Sequence, residues 1–420
     1  MAAILLGTLM RLVWLDDMEW KSDEIWMFQK AQEIQRTGNY PPIGMPSGAG
    51  GLVNPGLSVW SFAFLAKVAR TPVAMNAWIA GLNALTLFLF LAFISSSVPK
   101  EERREWFWAL ALMAVSVLPV LFSRKIWAQC LLPLFSFVVL FGHWHRKKIW
   151  GALVFGLFGA LIGQLHMSGF FFAGGLVLAT LVWDYRRQNN SGEKFPLSSW
   201  LWILGGMVLG SLALLPWLQH LSGGGTTLLE RLKNILSFKF YTHGLATAWG
   251  LDIREYLGVE FDRFIREPYF FGKASYGVLL AHFILAIFAI NPLLKWTGEK
   301  IIYLTLKRKF PSIQANESPF GKNRLAPRTR FYLAAAFWGM GILLTLTGLN
   351  LKAHYLIVLY PILFLLVPVF YPGRNRILLL ILFLQFFISV NFLGTIHKNG
   401  GAPGGDYGKS YRVQMEGVRK

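Results

Sequence analysis

VAMNAWIAGLNALTLFLFLAFISSS, residues 73–97, is a predominantly apolar run without a charged side chain. An α-helix needs about 20 such residues to cross the hydrocarbon core of a bilayer. Similar runs recur along the chain, in which 55% of the 420 residues are apolar and the mean hydropathy is +0.47. Long continuous runs are typical of helices, whereas strands would show short alternating patterns. The sequence therefore predicts an all-α polytopic membrane protein.

About eleven transmembrane helices are predicted from these runs. The stretch 55–70 is also apolar, but it is short for a span and carries Lys67 and Arg70 at one end, so we expect an interfacial helix there. The predicted spans lie near residues 2–17, 73–97, 105–122, 130–143, 149–165, 169–184, 198–219, 274–293, 331–348, 352–371 and 377–394.

The expected orientation follows from Lys and Arg, which concentrate in alternate loops. Cytoplasmic loops carry such an excess, so we expect the protein in the inner (plasma) membrane with these loops inside. The predicted parts are an N-terminal module 1–219 with an acidic external loop 18–72, an external cap 220–273, C-terminal spans 274–394 with a basic cytoplasmic loop 295–330, and an external tail 395–420.

The first span is expected to stay as a membrane anchor, because it lacks the basic start and the cleavage site of a signal peptide. Arg11 lies near its predicted outer end. We expect this side chain to snorkel towards the lipid headgroups.

Several classes of function are disfavoured by composition and motifs. The net charge of +20 lies between apolar runs, where it serves topology rather than nucleic-acid binding. A single cysteine, Cys130, can form neither an intramolecular disulfide nor a cysteine metal cluster. Neither a P-loop nor a Gly-rich dinucleotide turn is present, and SGGGTT (222–227) is predicted to be a flexible hinge.

Carboxylates gather directly after the first apolar run, within MEWKSDEIWMFQKAQEIQRTGNY (18–40). Residues 22–37 have helical spacing, and we expect an amphipathic helix on the membrane with Ser22 as its N-cap. Asp23 and Glu24 then lie in the first turn, where acids stabilise the helix dipole without any catalytic role. A functional role is the alternative, and it depends on which other side chains lie nearby.

Polar residues of three other segments are predicted on the same external side as these acids. Cations with a carboxylate beside them suit a phosphorylated lipid carrier, since cations hold phosphate and a carboxylate can deprotonate an acceptor hydroxyl. His166 could instead be a packing histidine, and Arg124 with Lys125 could be interface anchors. The residues are Arg124 and Lys125 in FSRKIWAQ, His166 in GQLHMSG, and Lys352, His354 and Tyr355 in LNLKAHYLIVLYP.

The chain resembles GT-C glycosyltransferases, the class that includes protein O-mannosyltransferases and the bacterial lipid A aminoarabinose transferases. RLVWLDDMEWKSDEIW resembles the end of the family's first span and its acidic pair, and GGLVNPGLSVWSFAFLAKV resembles its juxtamembrane helix. The order and predicted sidedness of the motifs carry the resemblance over most of the chain. Further similar segments are FSRKIWAQCLLPLF, HYLIVLYP and GGDYGKSYRVQ.

The resemblance implies transfer of a sugar, with inversion, from a polyprenyl-phosphate carrier to an extracytoplasmic lipid, glycan or protein. It implies that Asp23 is the general base and that Glu24 shapes the acceptor pocket. Arg124 and Lys125 would stabilise the leaving phosphate, assisted by Lys352 and His354. The other residues expected in the substrate site are Arg11, Asn54, Gln129, His166 and Tyr355.

The sequence departs from the family pattern at three positions. Asn54, Pro55 and Gly56 stand where relatives carry an acid or histidine before a Pro pair, so no metal cofactor is expected. Gln129 stands where an acid is common, and Asn76 where mannosyltransferases commonly carry Arg. A transporter or flippase of lipid-linked sugars is one alternative function, and an O-antigen polymerase or ligase is another.

Overall fold

The computed structural model describes residues 1–46, 53–220, 227–309 and 326–418. Helices make up 76% of it, and strands are few. Within these residues, five helices are long and apolar enough to cross a membrane, and a bent pair of helices would make a sixth. The predicted helical class is therefore confirmed, and the five candidate spans agree with the expected membrane protein.

The α-helices of the first half are Ala2–Leu12, Ser22–Thr37, Leu57–Ala66, Pro72–Ser97, Lys100–Val115, Val117–Leu121, Leu132–Trp144, Ile149–Leu165, Ser168–Ser191, Leu197–Ser211 and Leu215–Leu218. Those of the second half are Leu228–Leu236, Lys239–Ala248, Arg254–Leu257, Phe261–Arg266, Gly277–Lys309, Pro327–Ala334, Gly341–Leu346, Leu366–Phe370, Asn375–Asn399 and Tyr411–Val418.

Shorter elements connect these helices. The 3-10 helices are Leu15–Asp17, Ala128–Leu131, Leu212–Leu214, Gly258–Glu260, Ala353–Leu359 and Ile362–Leu365, and a π-helical stretch covers Ala335–Met340. Two small antiparallel pairs of strands join Ile43–Pro46 to Val53–Pro55, and Gly401–Ala402 to Gly408–Lys409.

The count of about eleven spans is not confirmed. The helices that pass as full spans are Pro72–Ser97, Ser168–Ser191, Leu197–Leu218, Pro327–Leu346 and Asn375–Asn399. The predicted first span is only an 11-residue helix that ends at Leu12. The predicted span 105–122 breaks at Ser116, and the predicted span 352–371 consists of two helices bent by 85°. The sequence correctly identified these segments as apolar, but it did not predict where their helices break.

The helix Pro72–Ser97 begins with a strong local signal. The Thr71 hydroxyl accepts a hydrogen bond from the backbone N–H of Ala74 at 3.2 Å, and Pro72 occupies the first turn, where its missing N–H costs nothing. The helix ends at Ser97, two residues before Pro99, and the intervening Val98 is extended, as is usual for a residue that precedes proline. Its apolar side chains then bury about half of the span inside the protein.

Close helix packing through glycine joins Ile149–Leu165 to Leu197–Ser211. A Cβ on Gly206 would lie 2.3 Å from the Leu153 carbonyl oxygen, and one on Gly156 would lie 2.0 Å from the Ile203 carbonyl oxygen. Apolar helices in lipid gain little from the hydrophobic effect, so small residues at such crossings permit the van der Waals contact that holds them together.

Gly206→Ala is therefore expected to destabilise the protein by about 1–3 kcal/mol, because the added methyl meets backbone that cannot move alone. Gly205→Ala is the matched control, since nothing lies within 4 Å of its Cβ and alanine favours helix. Thermal unfolding of both variants in detergent measures the difference. Equal melting temperatures would contradict the proposed close crossing.

Turns from distant parts of the chain meet at one end of the bundle. The segment 13–21 follows the first helix, residues 122–127 follow the helix Val117–Leu121, and His166 lies between the helices Ile149–Leu165 and Ser168–Ser191. Residues 347–354 follow the helix Gly341–Leu346, and the tail folds back so that the Tyr411 backbone N–H donates to the Met18 carbonyl at 2.9 Å. These turns build the candidate site.

Candidate active site

A cavity with a volume of about 290 Å³ lies where these turns meet. Polar and charged side chains of the acidic loop, the turn after Leu121, the turn at His166 and the segment after Leu346 all contribute to it. Its lining residues are Glu19, Lys21, Asp23, Met27, Met45, Pro46, Asn54, Ser58, Lys125, Trp127, Ala128, Gln129, His166, Tyr256, Asn350, Lys352, His354, Tyr355 and Asp406.

Asp23 lies in the first turn of the helix Ser22–Thr37 and faces the cavity. Its Oδ1 accepts a hydrogen bond from the neighbouring Ser22 hydroxyl at 3.3 Å. Within the described parts of the chain, no Lys, Arg or His forms an ion pair with its carboxylate. Asp23 is thus a cavity carboxylate that is not already neutralised, as a general base requires.

The start of this helix differs from the prediction. Ser22 is already helical, and the extended Lys21 is the N-cap. The Glu24 side chain reaches back and accepts a hydrogen bond from the Lys21 backbone N–H at 3.0 Å, as in the second half of a capping box. Glu24 therefore fixes the turn that presents Asp23, and it lies behind the cavity rather than in its wall.

Lys125 connects this turn to the third predicted span. Its Nζ lies 2.9 Å from Glu19 Oε2 and 3.1 Å from Glu24 Oε1, and all three side chains are buried. Burial lowers the pKa of Lys125, but the two carboxylates outweigh burial and leave it raised. Burial also raises the pKa of Glu24, against the attraction of Lys125. A protonated lysine is thus fixed beneath Asp23.

Aromatic and imidazole rings form the opposite wall. Trp127 lies under the Lys125 ammonium, 4.1 Å from ring centre to nitrogen, which is a cation–π contact. The His354 ring lies 4.8 Å from Trp127 and stacks on Tyr355 at 4.9 Å. His166 lies 5.0 Å from Tyr355, so the four rings make one continuous surface.

The hydrogen bonds of His166 set its tautomer. The Ser168 backbone N–H donates to Nδ1 at 3.4 Å, and the Ser168 hydroxyl lies 2.8 Å from the same nitrogen. An accepting Nδ1 places the proton on Nε2, which has no partner among the described residues. Burial lowers the pKa of His166 to about 4, so the ring is a neutral hydrogen-bond donor at pH 7.

This burial predicts an acid-side loss of stability. Between pH 6.5 and 4 an unfolded His166 binds a proton that the folded ring does not, so the free energy of unfolding decreases as the pH falls, by up to about 3 kcal/mol. His166→Gln removes this contribution and should make the melting temperature less dependent on pH over that range. The control is His220→Gln at an exposed histidine, and an unchanged slope in His166→Gln would contradict the assignment.

Lys352 lies at the mouth of the cavity, with 44% of its side chain exposed. Its Nζ donates to Glu255 Oε1 at 2.7 Å and lies 3.6 Å from Asp406 Oδ2. The Glu255 hydrogen bond raises its pKa, so it is a cation at neutral pH. Glu255 and the cavity residue Tyr256 belong to the segment 220–273, which places part of the predicted cap beside the site.

Charges in the cavity wall are balanced. Lys21, Lys125 and Lys352 stand against Glu19, Asp23 and Asp406. A bound phosphate must therefore replace a carboxylate at one of the lysines. Lys352 is the most exposed of the three, so its ammonium is the one most accessible to a phosphate at the cavity mouth.

Two arginines expected in the substrate site lie outside its wall. Arg124 donates to the carbonyls of Met10 at 3.2 Å and Trp14 at 2.5 Å, around the C-terminus of the first helix. Arg11 donates to the Ala114 carbonyl at 2.6 Å, where the break at Ser116 leaves carbonyls unpaired. Both satisfy helix ends, and the expected snorkelling of Arg11 is wrong because its side chain is only 1% exposed.

The other predicted residues fall into place around the cavity. Asn54, Gln129 and Tyr355 line it together with Asp23, Lys125, His166, Lys352 and His354. Asn54 donates to the Met45 carbonyl at 3.0 Å, which ties the two short strands together. The predicted hinge 222–227 lies outside the described residues except for Thr227, the N-cap of the helix Leu228–Leu236. Residues 47–52 and 310–325 of the predicted loops also lie outside them.

The C-terminal tail is a part of the site that the sequence did not reveal. Arg412 Nε donates to Asp17 Oδ1 at 2.8 Å, and His397 Nδ1 lies 2.5 Å from Asp17 Oδ2. Gln414 donates to the Trp20 carbonyl at 2.7 Å, and the Lys21 ammonium donates to the Asp406 carbonyl. The tail thus holds the acidic loop in place and supplies Asp406 to the wall. The motif GGDYGKSYRVQ could be recognised in the sequence, but nothing in it indicated that it contacts the acidic loop.

The described side chains do not form a metal site. Among the described residues, no group of three or more His, Cys, Asp or Glu side chains is arranged to hold a metal ion. The His243–Asp252 pair in the cap, with Nδ1 and Oδ2 2.8 Å apart, is a two-residue contact only.

No protein-family profile, curated protein or solved structure matches this chain.

Proposed function

We propose that the protein is a GT-C-type membrane glycosyltransferase that transfers a sugar from a polyprenyl-phosphate donor to an extracytoplasmic hydroxyl. The observation that carries the proposal is the presence of the unneutralised Asp23 carboxylate in one cavity with Lys352 and two histidines. The basic loops between the predicted spans support an extracytoplasmic location for this end of the bundle.

In the proposed reaction, Asp23 accepts the proton of the acceptor hydroxyl as its oxygen attacks the anomeric carbon. The new bond forms on the face opposite the phosphate, so the configuration inverts. The bond between the anomeric carbon and the phosphate oxygen breaks, and polyprenyl phosphate leaves with the electron pair. Lys352 and the Nε2–H of His166 stabilise the charge that develops on that phosphate.

Lys125, Glu24 and Arg124 act indirectly in this proposal. Lys125 and Glu24 hold the turn that carries Asp23. Arg124 binds the Trp14 carbonyl and so holds the start of the acidic loop. They are positioning residues, because the side chain of each binds other groups of the protein and not the proposed substrates.

A lipid-linked donor is supported by the helix Leu228–Leu236. Its Asn234 side chain donates to the Gly348 carbonyl at 2.9 Å, and the next helix places Lys239 on Asn350, which lines the cavity. The apolar face turns away from the protein, with Leu229 77% exposed. A helix that binds protein through its polar face and exposes leucines suits a membrane interface. It would guide a lipid tail to the cavity mouth.

Mass spectrometry of cells with and without the gene tests this function. We expect cells without it to accumulate one polyprenyl-phosphate sugar and to lack one envelope glycan, lipid A modification or glycoprotein that carries the same sugar. Expression of the intact gene should reverse both changes. If neither the lipid-linked sugars nor the envelope glycans differ, the proposed transfer is wrong.

A flippase of lipid-linked sugars is the second candidate, favoured by the broken helix pair Ala353–Leu359 and Ile362–Phe370 beside the cavity. Discontinuous helices often form transporter sites. Flipping requires no base, so Asp23→Asn would leave it intact. The polymerase or ligase alternative has no observation in its favour among the described residues.

A further inference from the structure

A second cavity lies at the opposite end of two of the candidate spans. It has a volume of about 170 Å³, and its wall includes Arg187 near the end of the helix Ser168–Ser191 and Arg328 at the start of Pro327–Ala334. Residues 168–187 cover about 29 Å of helix, close to the thickness of a bilayer's hydrocarbon core. This cavity is thus separated from the candidate active site by a membrane's width.

Positive charge dominates this second cavity. Four cations line it, Arg146, Lys147, Arg187 and Arg328, and no Asp or Glu of the described residues does. Arg146 is paired with the buried Asp184 at 2.9 Å, and Arg187 with the exposed Glu193. Lys147 and Arg328 form no ion pair within the described residues. The cavity therefore carries two cations that no carboxylate of the described residues pairs with.

The position of the Arg328 backbone is fixed by its neighbours. The Thr329 backbone N–H and hydroxyl donate to the buried Glu102 at 2.9 and 2.5 Å. The Arg328 guanidinium lies over the Trp144 ring at 4.6 Å, and Trp144 stacks on Tyr332 at 5.6 Å. The cation is thus held at the edge of an aromatic surface before any ligand binds, which lowers the entropy cost of binding.

We propose that this cavity binds the phosphate group of an anionic phospholipid. Basic pockets between transmembrane helices are suited to anionic headgroups, and aromatic rings such as Trp144 and Trp183 are typical of the membrane interface. The volume lies below the roughly 300–1,000 Å³ common for drug-sized ligands, which fits a small headgroup better than a nucleotide. The proposal does not depend on the glycosyltransferase function.

Native mass spectrometry of the purified full-length protein in neutral detergent tests the site with dioleoyl phosphatidylglycerol and dioleoyl phosphatidylcholine. We expect retained adducts of the anionic lipid only, and a loss of at least fivefold in Lys147→Ala/Arg328→Ala. Arg374→Ala/Arg376→Ala is the matched control, because it removes two exposed cations from a loop on the same predicted side.

A melting curve without lipid checks that each variant folds, and Lys147→Ala alone covers the case in which loss of Arg328 disturbs Trp144. Inorganic phosphate forms the second arm of the experiment. If inorganic phosphate raises the melting temperature of the wild type but the lipid does not bind, the site belongs to a free phosphate and not to a lipid. Equal lipid adducts in the wild type and in both cavity variants, or no adducts in the wild type, would overturn the proposal.

Discussion

Replacing Asp23 by Asn is expected to lower the rate of sugar transfer by about 100- to 10,000-fold, the usual contribution of a general base. The amide keeps the size of the side chain and its contact with Ser22 but cannot accept the acceptor's proton. Because Asp23 is paired with no described cation and loses only its interaction with the helix dipole, the protein should remain folded, with a stability loss of at most about 1 kcal/mol. The measurement is turnover of the polyprenyl-phosphate sugar identified by mass spectrometry, with purified protein in detergent.

Asp16→Asn is the matched control for this result. It makes the same chemical change seven residues earlier, at a carboxylate outside the cavity wall. We expect its turnover to stay within a factor of a few of the wild type. If both variants lose activity equally, the effect comes from the charge of the loop, and Asp23 is not the base.

Lys125→Met is expected to destabilise the protein by about 3–5 kcal/mol, because it leaves the buried carboxylates of Glu19 and Glu24 without their shared cation. Thermal or chemical unfolding in detergent measures the loss. Adding Glu24→Gln should recover part of it, since one of the two buried charges is then removed. Together with the stability of Glu24→Gln alone, this recovery gives the coupling between the two side chains.

Lys30→Met provides the comparison for Lys125→Met, since Lys30 pairs with Glu33 on the same helix in a largely exposed position, at 2.9 Å. Exposed pairs contribute at most about 1 kcal/mol. A Lys125 variant no less stable than the Lys30 variant would mean that the buried group of three charges does not hold the first turn of the helix.

The sequence predicted the helical class and several long helices correctly, but it did not predict the breaks that shorten other helices. Hydropathy located Pro72–Ser97 and Asn375–Asn399 within a few residues, because each is one uninterrupted apolar helix. It did not find the break at Ser116 or the bend between Leu359 and Ile362, where apolar side chains continue while the backbone turns. Hydropathy measures only the transfer of side chains into lipid, so it is insensitive to such turns.

Arginine roles were the clearest error at the site. Arg11 was expected in the substrate site and Arg124 at the leaving phosphate, because they lie near the expected outer end of their spans, yet both satisfy backbone carbonyls at helix ends. Those carbonyls are unpaired only because the helices end early. A sequence-based prediction that continues the helices cannot see that need.

The residues around Asp23 were predicted more successfully than the arginines. Eight of the eleven expected site residues line one cavity, although they come from segments more than 300 positions apart. Their predicted location on the same side of the membrane was sufficient to group them, because short turns at one end of a helix bundle lie close in space. Asp406 and Tyr256 were missed, since neither the tail nor the cap has a period or spacing that indicates where it docks.

The most direct test of the proposed site measures donor binding and turnover on the same purified preparations, with a short synthetic polyprenyl-phosphate sugar as the ligand. The proposal predicts that Asp23→Asn binds this ligand as tightly as the wild type without transferring the sugar, and that adding Lys352→Ala weakens binding at least tenfold. Transfer by Asp23→Asn at the wild-type rate, or donor affinity unaffected by Lys352→Ala, would contradict it.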